Sequence, residues 1–303
     1  MKDFILALDA GGTFLKAGLF CGETAEPGSL ASVPVNSGGS AEEAHAAYRE
    51  ILTRMRQAAL ERAGRIAGVC MDTPGPFDYA NGISRMTHKY AAINGVPLRP
   101  WFLEILGDIP VLFLHDSSAF LLGAVDSRSP YRRVAGVMIG TGLGFAMMID
   151  NKICTTSEGG PLVSIYKRPY GSGIAEDAVS ARGIVYAYCK DVPVRPGCLP
   201  TAKEIALLAE QGDPVAIRCY ENMGTALGRI IRSILLENEI EALFLGGQIS
   251  RSFSLFEAPL RAALSPIPSL RTIASVRNID QIHLLGAARY WNTYKAFPMS
   301  NSR

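Results

Sequence analysis

The sequence predicts an α/β protein of two domains built by duplication, and three observations carry that expectation. Apolar runs that read as strands alternate with stretches that read as helices. A hairpin with glycines at its turn occurs near the N-terminus and again about 130 residues further on. The 303 residues suffice for two domains, each with a buried core. Two copies of one turn arrangement argue for a cleft between the halves.

The elements follow in order. Residues 4–8 and 16–21 are short apolar runs flanking Asp9-Ala10-Gly11-Gly12-Thr13, and they read as a β-hairpin rather than a strand leading into a helix. Residues 40–65 are rich in Ala, Glu and Arg, without Pro or Gly until Gly64. Ser40 is the expected N-cap there, and Glu43 completes a capping box. A strand over 66–71 breaks at Thr73-Pro74-Gly75-Pro76. Another over 111–114 ends at His115-Asp116, where a helix over 117–123 begins. The second round has a strand over 133–139, the turn Gly140-Thr141-Gly142-Leu143-Gly144 and a returning strand over 145–149. Leu, Ile and Ala recur at helical spacing over 202–211 and 214–237. A strand over 241–245 opens on Gly246-Gly247-Gln248, and a last helix is expected over 284–297. Residues 155–172 have no clear period and read as a long loop of the kind that carries function. The expected division places residues 1–115, with the C-terminal helix 288–303, in a smaller domain and 116–287 in a larger one.

Composition excludes several classes. Lys plus Arg total 30 against 28 for Asp plus Glu, a formal charge of +2, which leaves no footprint for nucleic acid. Apolar runs are too short to cross a bilayer, and no signal-peptide pattern opens the chain. Cys21, Cys70, Cys154, Cys189, Cys198 and Cys219 form no CxxC pair and read as reduced thiols of a cytoplasmic protein.

Four constellations can carry chemistry. In Asp9-Ala10-Gly11-Gly12-Thr13, two glycines let the backbone approach an anion and the Thr hydroxyl can donate to phosphate. Asp9 can hold Mg²⁺ through water. A tight hairpin without a ligand is the equal alternative. Gly140, Thr141, Gly142 and Gly144 repeat that chemistry, but without the strand-to-helix context or the spaced acid of a dinucleotide site. Asp116 stands at the carboxyl end of a strand, suited to be a general base or simply the N-cap of the next helix. Gly246 and Gly247 would let an adenine or ribose lie flat on the backbone, or merely turn the chain.

Together, in this order, these segments resemble the ROK family of repressors and sugar kinases, in the actin/hexokinase-like superfamily with its ribonuclease H-like domains. Asp9, Gly11, Gly12 and Thr13 look like its first phosphate motif, with Lys16 at an often basic position. Gly140 to Gly144 look like the second, and Gly246-Gly247 like the adenosine motif. Thr73, Pro74 and Gly75 resemble the segment lining the sugar site. His115-Asp116-Ser117-Ser118-Ala119 is similar to the segment whose Asp is the catalytic base. The resemblance implies an ATP- and Mg²⁺-dependent sugar kinase with Asp116 as base, in a homodimer, with the sugar itself left open. It also implies sugar-orienting roles for Glu158, Glu176 and His115.

The departures lie on the sugar side. Where the family has a zinc-ligating His, Pro161 stands, and residues 170–176 replace its cysteine run without a cysteine, so no structural zinc is expected. His115 replaces the usual Asn, and Phe145 a commonly small residue. Among the remaining residues, His45 reads as exposed and His283 as structural. Lys89 and Tyr166-Lys167-Arg168 read as solvated loop residues, and the apolar stripe over 223–236 as core or oligomer interface. The alternatives are a non-catalytic sugar-binding regulator, for which no DNA-binding segment is expected ahead of Asp9, and a sugar-independent ATPase.

Overall fold

The computed structural model describes residues 1–126, 128–193, 197–276 and 281–294, and the chain falls into two compact units. The first unit comprises residues 1–126, 155–161 and 280–303, and the second 127–154 and 162–279. The part of the expected C-terminal helix from 295 onward lies outside the described residues.

The chain opens with the expected hairpin, β1 (Lys2–Ala10) and β2 (Phe14–Cys21), followed by the short β3 (Thr24–Ala25) and β4 (Ala31–Pro34). Helix α1 (Ala41–Glu61) starts at Ser40, whose hydroxyl accepts from the Glu43 N–H while Glu43 returns to the Ser40 N–H. This is the capping box read from the sequence, and it satisfies two N–H groups that a helix start leaves open. Then come β5 (Gly64–Thr73), β6 (Phe77–Asp78), β7 (Ile83–Ser84), α2 (Arg99–Leu106), β8 (Val111–His115) and α3 (Asp116–Ala124).

The second unit begins with β9 (Arg133–Ile139), β10 (Leu143–Ile149) and β11 (Lys152–Ile153). The expected loop over 155–172 contains β12 (Pro169–Tyr170), which pairs with β13 (Gly173–Ile174). Helices α4 (Ala175–Ala178), α5 (Ala181–Asp191), α6 (Ala202–Glu210) and α7 (Pro214–Glu237) follow. Asp213 caps α7 by accepting from the Val215 and Ala216 N–H groups, with Pro214 at the first helical position, where no N–H is needed. Then come β14 (Ala242–Gly246), α8 (Glu257–Leu264) and β15 (Thr272–Ser275), before α9 (Ile282–Tyr294) returns to the first unit.

The two sheets repeat one plan. In the first unit the order is β3-β2-β1-β5-β8, with β1 and β2 antiparallel and β1, β5 and β8 parallel. In the second it is β11-β10-β9-β14-β15, again an antiparallel hairpin followed by parallel strands. The duplication expected from the repeated hairpin is thus present in the strand order.

Alternation along β1 sorts the first unit's core. Leu6 and Leu8 face a cluster with Tyr48, Ile51 and Leu52 of α1 and Phe102 of α2. Ala7 faces the other side with Cys70, Leu114 and the α3–α9 residues Ala119, Leu284, Ala287 and Trp291. Burying each large apolar side chain stabilises the fold by about 1.5–3 kcal/mol. Two glycines bring α3 and α9 together. A Cβ on Gly286 would meet the Ala119 carbonyl oxygen at 1.8 Å, and one on Gly123 the Ile282 carbonyl oxygen at 2.0 Å. In the second unit Val137, Ile139, Leu243 and Leu245 of the sheet pack with Tyr220, Leu227 and Ile231 of α7.

Candidate active site

Strand register builds the acidic end of the first unit. Asp9 lies opposite Lys16 across the hairpin and opposite Asp72 on the parallel neighbour, while Thr73 lies opposite His115. Because side chains alternate along a strand, Asp9 and Asp72 continue the row of Ala7 and Cys70, on the α9 face. There His283 Nδ1 stands 3.2 Å from Asp72 Oδ1. Asp72 is fully buried and its Oδ2 meets no hydrogen-bond partner.

Burial governs the charge states here. It lifts the Asp72 carboxyl to about 7, helped by the charge of Asp9 and opposed by His283. Asp9 is raised chiefly by burial, with Asp116 adding to it, against the pull of His283, Lys16 and the adjacent Asp72 side chain. Burial alone would lower His283, yet its bond to Asp72 and the three surrounding carboxylates carry it up to about 9.

Asp116 opens α3, but the cap of that helix is His115, not Asp116. His115 Nδ1 lies 3.1 Å from the Ser117 N–H and 2.8 Å from both Ser117 Oγ and Asp116 Oδ1. The Ser117 N–H also donates to Asp116 Oδ1 at 2.6 Å. Nδ1 accepts from Ser117 when it carries no proton and donates to Asp116 Oδ1 when it carries one, so the tautomer decides which contact forms. Burial pushes the Asp116 carboxyl up, but His115, His283 and the Ser117 N–H outweigh it and hold it below its usual value. Its side chain keeps 24 % exposure, so it is both ionised and reachable.

The segment expected to line a sugar site is stitched together by Tyr79. Its hydroxyl donates to the Thr73 carbonyl at 3.1 Å, its N–H donates to the Glu158 carbonyl at 3.1 Å, and its ring lies 5.8 Å from the His115 ring. Thr73, Gly75, His115 and Glu158 therefore belong to one neighbourhood, with the His115 Nε2 edge facing Gly75. At the first glycine turn, Tyr90 donates to the Gly11 carbonyl at 2.6 Å, and the Lys89 side chain and Ser37 hydroxyl lie over Gly12.

The second unit arranges its glycines differently. The Gly140 N–H donates to the Gly142 carbonyl at 3.0 Å, and the Leu143 N–H donates to Glu176 Oε2 at 3.0 Å. Glu176, expected beside a sugar, thus holds the turn itself, with Arg182 3.4 Å from its other oxygen. Gly247 has φ of +81°, and a Cβ there would meet the Ile139 backbone at 2.3 Å. The Gly246–Gly247 turn is demanded by that close approach. Pro161 pairs with Thr155 in an isolated bridge, and residues 170–176 form the β12–β13 hairpin and open α4.

Sequence reasoning missed Asp72 and Tyr79 and gave His283 no charge partner. A carboxylate in the apolar run Val69-Cys70-Met71-Asp72 was a usable signal, since such a group needs compensation when buried. Nothing local marked His283.

Two α/β units of one strand plan, with an acidic strand end in one and glycine turns in both, define a protein of the actin/hexokinase-like class. The ROK family model matches residues 5–162, over half of the chain, and the chain belongs to the ROK family, as its motifs suggested. A glucokinase of Thermotoga maritima is 24 % identical over 247 residues, covering 73 % of this chain and 77 % of the relative. A ROK family glucokinase from Streptomyces griseus, solved with glucose and AMPPNP, superposes with a TM-score of 0.75 at 20 % identity, covering 95 % of this chain and 98 % of that one. A ROK family transcriptional regulator, a homolog of the E. coli MLC protein, gives 0.81 at 18 % identity, covering 95 % of this chain and 77 % of that one. Among the described residues, no helix is long and apolar enough to cross a membrane.

Proposed function

We propose that the chain is an ATP-dependent sugar kinase in which Asp116 is the general base. The observation that carries this reading is the state of Asp116: a carboxylate at a strand end, held ionised by His115 and His283 and still open to a hydroxyl. The sugar oxygen attacks the γ-phosphorus, its proton passes to an Asp116 oxygen, and the bond from phosphorus to the ADP oxygen breaks. Thr73, Pro74, Gly75, His115 and Glu158 would orient the sugar, and Glu176 would reach it only by way of the turn it holds. Gly11, Gly12, Thr13 and Lys16 in the first unit, and Gly140, Thr141, Gly142 and Gly144 in the second, would bind phosphates, with Gly246 and Gly247 beside the adenosine.

Mg²⁺ belongs to this chemistry, and the donors fit it: Asp9 supplies oxygen, and the unpartnered Asp72 Oδ2 leaves an acceptor in need of a positive charge nearby. When bound, the ion neutralises charge on the nucleotide phosphates.

The test is Asp116→Asn. Turnover should fall by roughly a thousandfold while sugar binding by calorimetry persists. Normal turnover would sink the assignment. The likeness to a ROK regulator supports a second reading, a sugar-binding regulator without turnover. ATP consumption screened over hexoses, amino sugars, N-acetylated sugars and β-glucosides separates the two, and consumption without any sugar would mark an ATPase. A homodimer in the cytoplasm completes the proposal, checked by light scattering and cell fractionation.

A further inference from the structure

In this parallel register two aspartates stand side by side, and like charges placed so are destabilising unless something sits between them. Asp9 and Asp72 have one imidazole, His283, within reach, and one ligand atom from each of the three lies within 4.8 Å of the others. The contact of His283 Nδ1 with Asp72 Oδ1 satisfies one oxygen, and the fully buried Oδ2 is left without a donor. A buried carboxylate oxygen with no partner is costly, so a proton or a cation belongs beside it.

We propose that Asp9, Asp72 and His283 form a divalent-cation site that the protein fills by itself, without nucleotide, and that it prefers Mn²⁺ to Mg²⁺. Two adjacent ligand atoms on one octahedral ion at about 2.1 Å lie about 3.0 Å apart, and two opposite ones about 4.2 Å. The 3.2 Å separation of His283 Nδ1 from Asp72 Oδ1 is close to that of two adjacent ligands. Two carboxylate oxygens suit hard ions, and the imidazole shifts the choice toward a first-row transition ion. The ion also has the right charge. Asp9, Asp72 and Asp116 share this end of the sheet with His283 and Lys16. Three carboxylates there face one lysine besides the imidazole, a balance that a divalent ion suits.

The fold holds the imidazole in place for this role. The close approach of α3 to α9 at Gly123 and Gly286 brings the first turn of α9 to the strand ends. The His283 ring packs 6.4 Å from Phe120, and its side chain is 17 % exposed.

The site rests on the same Asp9 and Asp72 oxygens to which the kinase reading gives Mg²⁺, but its test uses neither ATP nor sugar, so the two can fail separately. The whole chain, stripped with EDTA and desalted, is titrated with Mn²⁺, and the free-ion EPR signal is followed. One equivalent should disappear at micromolar concentrations and resist a large excess of Mg²⁺. Spin-echo modulation of the bound Mn²⁺ should show one imidazole nitrogen. Asp72→Asn should weaken binding at least about tenfold, and His283→Gln should do the same and remove the nitrogen modulation. If either variant fails to fold by circular dichroism, the wild-type stoichiometry and nitrogen signal still decide. No tight equivalent, a tight equivalent without nitrogen modulation, or wild-type affinity in a folded Asp72→Asn chain would overturn the proposal. The first result would assign the space between the aspartates to a proton.

Discussion

The two glycine turns look like copies in the sequence, yet the structure gives them different surroundings. At the first, Gly12 has ordinary space around it, with Lys89 and Ser37 over it, and the acidic pair Asp9–Asp72 continues the sheet. At the second, the turn is held from behind: Glu176 takes the Leu143 N–H, and Gly247 backs onto Ile139 at a distance no side chain could share. The first turn is chemically loaded; the second has a carboxylate bonded into it, and the neighbouring Gly246–Gly247 turn is the one packed tight against Ile139. A repeated backbone plan therefore fixes where a ligand-facing turn sits, while the residues packed around it decide what that turn can do.

The sharpest way to break this contrast is a matched pair of alanines. Gly247→Ala places a Cβ against the Ile139 backbone in a left-handed conformation, and should cost more than about 3 kcal/mol. The melting temperature should fall by roughly 6 °C or more. Gly12→Ala meets nothing nearer than 3.5 Å and should cost within about 1 kcal/mol. Equal losses in calorimetry would remove the distinction.

A smaller effect tests the acidic side. The folded-state values of Asp72 and His283, about 7 and about 9, both lie above their ordinary values of 3.8 and 6.5. The folded chain thus binds protons that the unfolded chain releases, and stability falls as pH rises. The Asp72 share is complete below about 4 and lost as pH passes 7, and the His283 share is complete below about 6.5 and lost as pH passes 9. In EDTA-treated protein, Asp72→Asn removes the first share and deprives His283 of its partner. Its melting temperature should decline less between pH 5 and pH 9 than that of the wild type. Parallel profiles would show that the pair is not coupled to folding.

The smallest effect concerns the turn that Glu176 holds. Glu176→Gln keeps an oxygen for the Leu143 N–H but removes a negative charge from a turn proposed to face phosphate. Steady-state kinetics should show KM for ATP falling roughly threefold, with kcat little changed. An increase would place the carboxylate's role on the sugar instead.

Much of this was legible because it is local. Ser40 with Glu43 fixes the start of α1 within four residues, and the N-terminal hairpin needs only its two apolar runs and the glycines between them. The strand end carrying Asp116 was legible for the same reason, as a short apolar run stopped by polar residues. The capping role was less so. Asp is the commoner cap, and His115 holds that position because its ring folds back onto Ser117, a contact that sequence preference does not encode.

The sequence by itself determined the order of elements, the repeated glycine turns and the position of a carboxylate at a strand end. These follow from periodicity, turn chemistry and capping, which act over a few residues. Only the tertiary structure decided that Asp72 stands beside Asp9 and that His283, 211 residues away in sequence, closes on both. The pairing register of parallel strands and the depth to which two helices interlock depend on the whole core. No local pattern records which buried charges that core will bring together.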